Sequence, residues 1–310
     1  MINNQNLARK VCYYTSGLTH QSVMIIDFHT HLFPPFIHEN RARFCSLDSA
    51  FKLLYEAEKS RMVGAEELIR NMDEEGVDRS VVFGFPWSDP STIQRHNDYI
   101  LESLQRFPDR LIGFCCFDLS YKGAAKETRR CLDAGMMGVG ELASYLRPMG
   151  SADLEGLEPV MAICRERQVP ILVHANEPVG HHYQGKAPDA LAGVYRLIKR
   201  FPDNRIVLAH WGGGLFFYSL MKKEVPDLLQ QVWFDTAASP FLYQSAIYAI
   251  ARELIGSERI LFGSDFPLIP PSRYFDELSR SGLSASDVDR IKGDNAAALL
   301  GVNDNSTSFS

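Results

Sequence analysis

Residues 25–35 read IIDFHTHLFPP. Ile25 and Ile26 belong to an apolar run, His29 and His31 stand at its end, and two prolines follow. Side chains alternate across a strand, so residues i and i+2 share a face. His29 and His31 therefore project together from the C-terminal end of a first strand. Taken alone, a His-x-His pair is as consistent with a hydrogen-bonded strand end as with anything else. Its position says more. An open doubly wound sheet usually carries a glycine-rich nucleotide fingerprint after its first strand, and here that position holds HTHLFPP.

Seven further apolar runs follow: SVVFGF (80–85), LIGFCCF (111–117), GVGEL (138–142), PILVH (170–174), RIVLAH (205–210), VWFDT (232–236) and RILFGSD (259–265). With VMIIDF (23–28) they make eight. Several are apolar on both faces, which suits parallel strands covered by helices. Helical spacing lies between them, as in Ala65, Leu68, Ile69 and Met72, with Gly76 as a C-terminal stop. Leu157, Val160, Met161 and Cys164 repeat it, as do Leu191, Val194, Tyr195 and Ile198. RFPDR (106–110) recurs as RFPDN (200–204), each just before a strand, as a repeated helix-to-strand turn. The pattern predicts a single (β/α)8 TIM barrel over residues 23–302, with a long insertion, 32–62, after strand 1. Loops of that length are often functional or carry small elements of their own. Residues 1–22 read as an N-terminal extension and 303–310 as a polar tail.

The bulk numbers fit. The 310 residues are 45% hydrophobic and 23% charged, with a formal net charge of −6. No block of Lys and Arg suggests a nucleic acid or an anionic membrane as partner. No apolar run approaches the ~20 residues of a membrane span. The six cysteines are scattered without a Cys-x-x-Cys pair, which points to a reducing, cytoplasmic setting.

Catalytic groups of such a barrel sit at the C-terminal ends of its strands. There the sequence places His29 and His31 (strand 1), Glu141 (strand 4), His174 (strand 5), His210 (strand 6) and Asp265 (strand 8). Imidazole nitrogen and carboxylate oxygen suit Zn²⁺ and other first-row divalent ions. A metal at an open site lowers the pKa of bound water to ~7 and polarises carbonyl oxygens.

The motifs IDFHTH (26–31), GVGEL (138–142), ILVHANEP (171–178), IVLAHWGGG (206–214), ILFGSDFP (260–267) and GDNAAALLGV (293–302) are in order along the chain. In them the sequence resembles the amidohydrolase superfamily, in the amidohydrolase-related branch that includes aminocarboxymuconate semialdehyde decarboxylase. The resemblance implies His29, His31, His174 and Asp265 as metal ligands. It implies His210 as acid/base or as ligand to a second metal, and Asp265 as proton acceptor from metal-bound water. Glu141 stands where some binuclear relatives have a bridging carboxylate, and reads otherwise as a hydrogen-bond partner of a ligand or of substrate, so one metal is expected and a second is left open. Zn²⁺ is the expected ion; Mn²⁺, Co²⁺ and Fe²⁺ share the ligand types. A homodimer would be in keeping with the resemblance.

Other residues carry weaker signals. Arg147, in the loop after strand 4, would hold a substrate carboxylate in two parallel hydrogen bonds if it faces the site. Trp87 after strand 2 reads equally as pocket wall or packing. Trp211 and the glycines 212–214 offer either close ligand approach or a tight strand-to-helix turn. His181 and His182 read as loop residues more than as substrate contacts, Asn176 and Glu177 as loop residues more than as groups orienting His174, and Asp27 as a support for the strand end. Three functions follow in order. The first is hydrolysis of an amide, ester or lactone of a small organic acid by metal-activated water. The second is metal-dependent, non-oxidative decarboxylation, with Arg147 orienting the acid. The third is a ligand-binding barrel without catalysis. The fold does not choose among them.

Overall fold

A computed structural model describes residues 23–302. The predicted extension 1–22 and tail 303–310 lie outside those residues. All eight predicted strands are present: β1 Ile26–His31, β2 Arg79–Phe83, β3 Leu111–Cys115, β4 Gly138–Leu142, β5 Ile171–Val173, β6 Ile206–Leu208, β7 Val232–Asp235 and β8 Ile260–Leu261. They pair in sequence order, each parallel to the next. The ring closes just past β8, where Phe28 N donates to Phe262 O at 2.8 Å and His31 N to Phe266 O at 2.9 Å. Asp265 N donates to His29 O at 2.9 Å, and Thr30 bridges to Phe266. The architecture is the TIM barrel that the apolar runs predict.

Alternation divides the core into two layers. Inside the ring pack Ile26, Phe28, Val81, Phe83, Ile112, Phe114, Leu172, Val207 and Leu261, all buried. Phe28 and Phe114 meet edge to face at 5.6 Å. The larger layer lies between strands and helices and includes Val82, Cys115, Val139 and Leu208. The periodic stretches form helices Ala65–Glu75, Ser151–Arg167 and Ala190–Arg200. Gly76 ends the first in the left-handed conformation, φ 71°. The two RFPD repeats end their helices alike, at Phe107 (φ −134°, ψ 58°) and Phe201 (φ −126°, ψ 58°).

The insertion folds into three short helices, Pro35–His38, Arg41–Leu47 and Ser49–Tyr55. Asp48 caps the third by accepting from Ala50 N and Phe51 N. Arg41 ties the segment together by donating to the carbonyls of Ala57 and Ser60. Among the described residues no helix is long and apolar enough to cross a membrane.

Candidate metal centre

The seam between β1 and β8 brings the first three candidates together. His29 Nε2 and His31 Nε2 are 3.3 Å apart. Asp265 Oδ1 lies 3.5 Å from the first and 3.2 Å from the second. Four tetrahedral ligands about 2.1 Å from one ion would be spaced by about 3.4 Å, so these donors have the chemistry and spacing of a divalent-ion site. His29 Nδ1 donates to Asp235 Oδ2 at 2.8 Å, which leaves Nε2 as the ligand lone pair.

Across the mouth stands Glu141. Gly140 before it has φ 130°, and a Cβ there would meet Leu172 O at 2.3 Å, so only glycine lets β4 pass β5 this closely. The buried Glu141 carboxylate faces three imidazoles. Oε1 is 2.9 Å from His174 Nδ1 and 3.6 Å from His210 Nε2; Oε2 is 3.9 Å from His29 Nε2. His29, Glu141 and His210 thus form a second group of potential ligands with all donor atoms within 4.8 Å of one another. His174 belongs to neither group. Expected on the same ion as His29 and Asp265, it instead places Nδ1 on Glu141 and donates Nε2–H to Gly185 O at 2.9 Å. A loop carbonyl that the sequence gives no sign of therefore occupies its second nitrogen.

The site concentrates charge away from water. Burial opposes the ionised form of Glu141, yet His174, His29 and His210 hold it well below the carboxylate range. Asp265 is likewise held down by His31, His29 and His210 against its burial. Burial disfavours a protonated His29, but Asp235, Glu141 and Asp265 carry it up to about 10. The cluster thus favours added positive charge, which a divalent cation would supply in place of a proton.

The three expected substrate contacts point elsewhere. Arg147 forms a bidentate pair with Asp153, 2.6 Å from Nη2 to Oδ1, and Asp153 also accepts from Gly150 N at the start of helix Ser151–Arg167. Trp87 is fully buried; its indole donates to His96 Nδ1 at 2.8 Å and packs on Phe51 at 4.6 Å. It serves as packing beneath the insertion. Trp211 is also buried, donates to Ser239 Oγ and meets Tyr248 edge-on at 5.3 Å. Gly213 (φ 59°) lies against Asn176, where a Cβ would be 2.2 Å from the carbonyl, so the triple glycine makes a tight turn. Asn176 staples its own loop by bonding Ala187 N and O. Asp27 supports the strand end, accepting from Ser264 N at 2.8 Å and His29 N at 3.1 Å, and burial pushes it up to about 7.

Asp235 is a site residue that the strand-end pattern did not single out. Oδ1 accepts from His210 N at 2.8 Å and Ala237 N at 3.0 Å while Oδ2 holds His29. Its signal is the acid in VWFDT, at the same strand-end position that carries histidine on strands 1, 5 and 6. Beside these donors a row of aromatic rings runs from the insertion to the loop after β4: Tyr55 meets Phe85 at 6.0 Å, Phe85 lies parallel to Tyr145 at 6.1 Å, and Tyr145 meets His174 at 5.0 Å. A third cluster, Cys115, Glu127 and Cys131, lies away from the mouth, where Arg130 and Asn97 already bind Glu127.

A closed parallel barrel with imidazoles and carboxylates converging at its C-terminal mouth defines an enzyme of the metal-dependent TIM-barrel class. The chain belongs to the amidohydrolase family, whose pattern matches residues 26–302. It is 24% identical over 297 residues to gamma-resorcylate decarboxylase of Polaromonas sp. (strain JS666), spanning 79% of this chain and 90% of that protein. The dihydroxybenzoic acid decarboxylase of Polaromonas sp. JS666, solved with manganese and 2-nitroresorcinol, superposes with a TM-score of 0.69 at 20% identity, covering 93% of this chain and all of that one. The 5-carboxyvanillate decarboxylase of Novosphingobium aromaticivorans, solved with manganese and 4-hydroxy-3-methoxy-5-nitrobenzoic acid, gives 0.73 at 16% identity, covering 91% and 97%.

Proposed function

We propose that the protein is a metal-dependent decarboxylase of a hydroxylated aromatic acid. The observation that carries this reading is the similarity to gamma-resorcylate decarboxylase over 90% of that enzyme's length. Hydrolysis, placed first from sequence, has no such support among these relatives, and decarboxylation takes its place. The aromatic wall of Phe85 and Tyr145 gives an aromatic ring a surface to lie against.

His29, His31 and Asp265 are the proposed ligands, with Glu141 beside them and His174 orienting Glu141. The manganese in the two similar structures supports Mn²⁺ ahead of Zn²⁺. A divalent cation bound there supplies positive charge that holds and polarises substrate oxygens. Asp235 fixes the His29 tautomer and ring, so the ligand atom is in place before substrate arrives. Decarboxylation breaks the bond from ring to carboxylate, releases carbon dioxide and places a proton on the ring carbon. His210 is assigned that proton transfer. Its Nδ1–H donates to Ala237 O at 3.1 Å, so Nε2 faces the site, and it is the imidazolium form, favoured against its burial by Glu141 and Asp265, that delivers its Nε2 proton to the ring carbon. The free, buried cysteines 45, 115, 116, 131 and 164 support a reducing, cytoplasmic setting.

The test is to load the protein with Mn²⁺ and offer 2,6-dihydroxybenzoate and 5-carboxyvanillate beside a panel of lactones and N-acyl compounds. Carbon dioxide and the corresponding phenol are expected, with loss on chelation. Turnover confined to the lactones or amides, with no carbon dioxide, would return the protein to the hydrolases.

A further inference from the structure

The insertion after β1 brings a phenol to the row of rings that leads through Phe85 and Tyr145 to His174. Its third helix, Ser49–Tyr55, ends on a tyrosine whose ring is held on three sides. Phe51 stacks on it at 5.0 Å with planes 20° apart, Phe33 meets it edge-on at 4.8 Å, and Phe85 meets it edge-on at 6.0 Å. Rings packed this way restrain the tyrosine ring beside Phe85.

Other tyrosine hydroxyls of the fold find a partner inside the protein. Tyr99 Oη accepts from Ala65 N at 3.0 Å, Tyr248 donates to Glu277 at 3.3 Å, and Tyr274 donates to Ser264 O at 2.6 Å. Tyr55 is part-buried and makes no protein hydrogen bond among the described residues, which leaves its hydroxyl open to water or a ligand, and the charges acting on it are first Asp265 and Glu141, then Arg41. Burial and those two carboxylates push its phenol above the ordinary value, so it keeps its proton and remains a donor at neutral pH. Tyr145, in the loop after β4, lies parallel to Phe85 and places its hydroxyl 3.5 Å from Glu141 Oε2.

We propose that Tyr55 is a substrate-binding residue whose hydroxyl donates a hydrogen bond to a phenol or carboxyl oxygen of an aromatic acid lying against Phe85 and Tyr145. This assignment rests on the decarboxylase reading, and through it the insertion selects an oxygen-bearing ring over the metal ligands. The hydroxyl without a protein partner is taken up by the substrate, and a substrate without an oxygen at that position leaves it to water.

The test compares wild type, Y55F and Y99F, all loaded with Mn²⁺, with 2,6-dihydroxybenzoate as substrate. Y55F removes one hydroxyl and keeps the ring. It is expected to raise KM about tenfold, the worth of one substrate hydrogen bond, with kcat within about threefold and an unchanged melting temperature. Y99F, which loses a bond to the backbone, is expected to lower the melting temperature and leave KM alone. An unchanged KM in Y55F overturns the assignment while carbon dioxide release by wild type leaves the decarboxylase reading standing. Wild type that releases no carbon dioxide overturns both. Should Y55F fail to fold, 3-fluorotyrosine placed at position 55 reads the same contact: a shift of its fluorine resonance on adding 2-nitroresorcinol supports the assignment, and no shift overturns it.

Discussion

One carboxylate joins two histidines that lie on different strands. Asp235 Oδ2 takes the Nδ1–H of His29 at 2.8 Å, and Oδ1 takes the backbone N–H of His210 at 2.8 Å. The end of β7 thereby sets the aim of a proposed ligand on β1 and the start of the turn that carries the proposed proton-transfer group. Replacing Asp235 with Ala removes both restraints. Metal affinity is expected to fall about 10- to 100-fold, as when other outer partners of ligand histidines are removed. Competition with a chromogenic chelator measures it, and a far-ultraviolet spectrum like that of wild type shows that the barrel persists.

His210 Nε2 faces Glu141 at 3.6 Å but lies outside the His29–His31–Asp265 group. Its loss should therefore separate binding from chemistry. His210→Asn is expected to lower kcat by about 10²- to 10⁴-fold, the range for a general acid or base. Manganese content should stay near that of wild type. Retained turnover would reject the proton-transfer role.

Gly140 controls where Glu141 sits. Alanine there would press its Cβ to 2.3 Å from Leu172 O in a backbone with φ 130°. The expected cost is about 2–5 kcal/mol, combining backbone strain with overpacking. Urea denaturation gives the value. Because the displaced backbone belongs to the residue before Glu141, activity should fall further than in an equally destabilised core variant remote from the mouth.

The pair Arg147–Asp153 makes a pH prediction. Arg147 holds Asp153 below its ordinary value, against the opposing effect of burial. A carboxylate lowered on folding contributes stability that is full above its unfolded pKa, about 3.9. The contribution disappears as pH falls through the lower folded value. Asp153→Asn should therefore lower the melting temperature at pH 7, and the difference should shrink progressively as pH falls below about 3.9. The half-exposed Arg147 limits the effect at pH 7 to about 1 kcal/mol. A difference that grows on acidification would contradict it.

The barrel and most of its rim are legible in sequence because both depend on repeating local signals. Apolar runs of the right length predict eight strands, and polar residues at their ends fall where the fold points them. Side chains on loops depend on partners that spacing does not reveal. Arg147 is claimed by Asp153, six residues on, because that carboxylate also caps the next helix. Trp87 is claimed by His96, nine residues away, and by rings of the insertion. His174 is visible as a strand-end histidine, but the Gly185 carbonyl on its second nitrogen is a property of loop conformation. Asp235 carries the right signal and differs from its neighbours only in being an acid where they are imidazoles.

The ring closes where its first and last strands meet, and Asp27 accepts from Ser264 across 237 residues of chain. His29 and His31 are synthesised with the first strand and Asp265 just after the eighth. A growing polypeptide thus displays two imidazoles long before their carboxylate companion emerges from the ribosome. On the proposed ligand set, capture of an ion by all three would wait until translation of the barrel is nearly finished, a late step of maturation that joins the two ends of the fold.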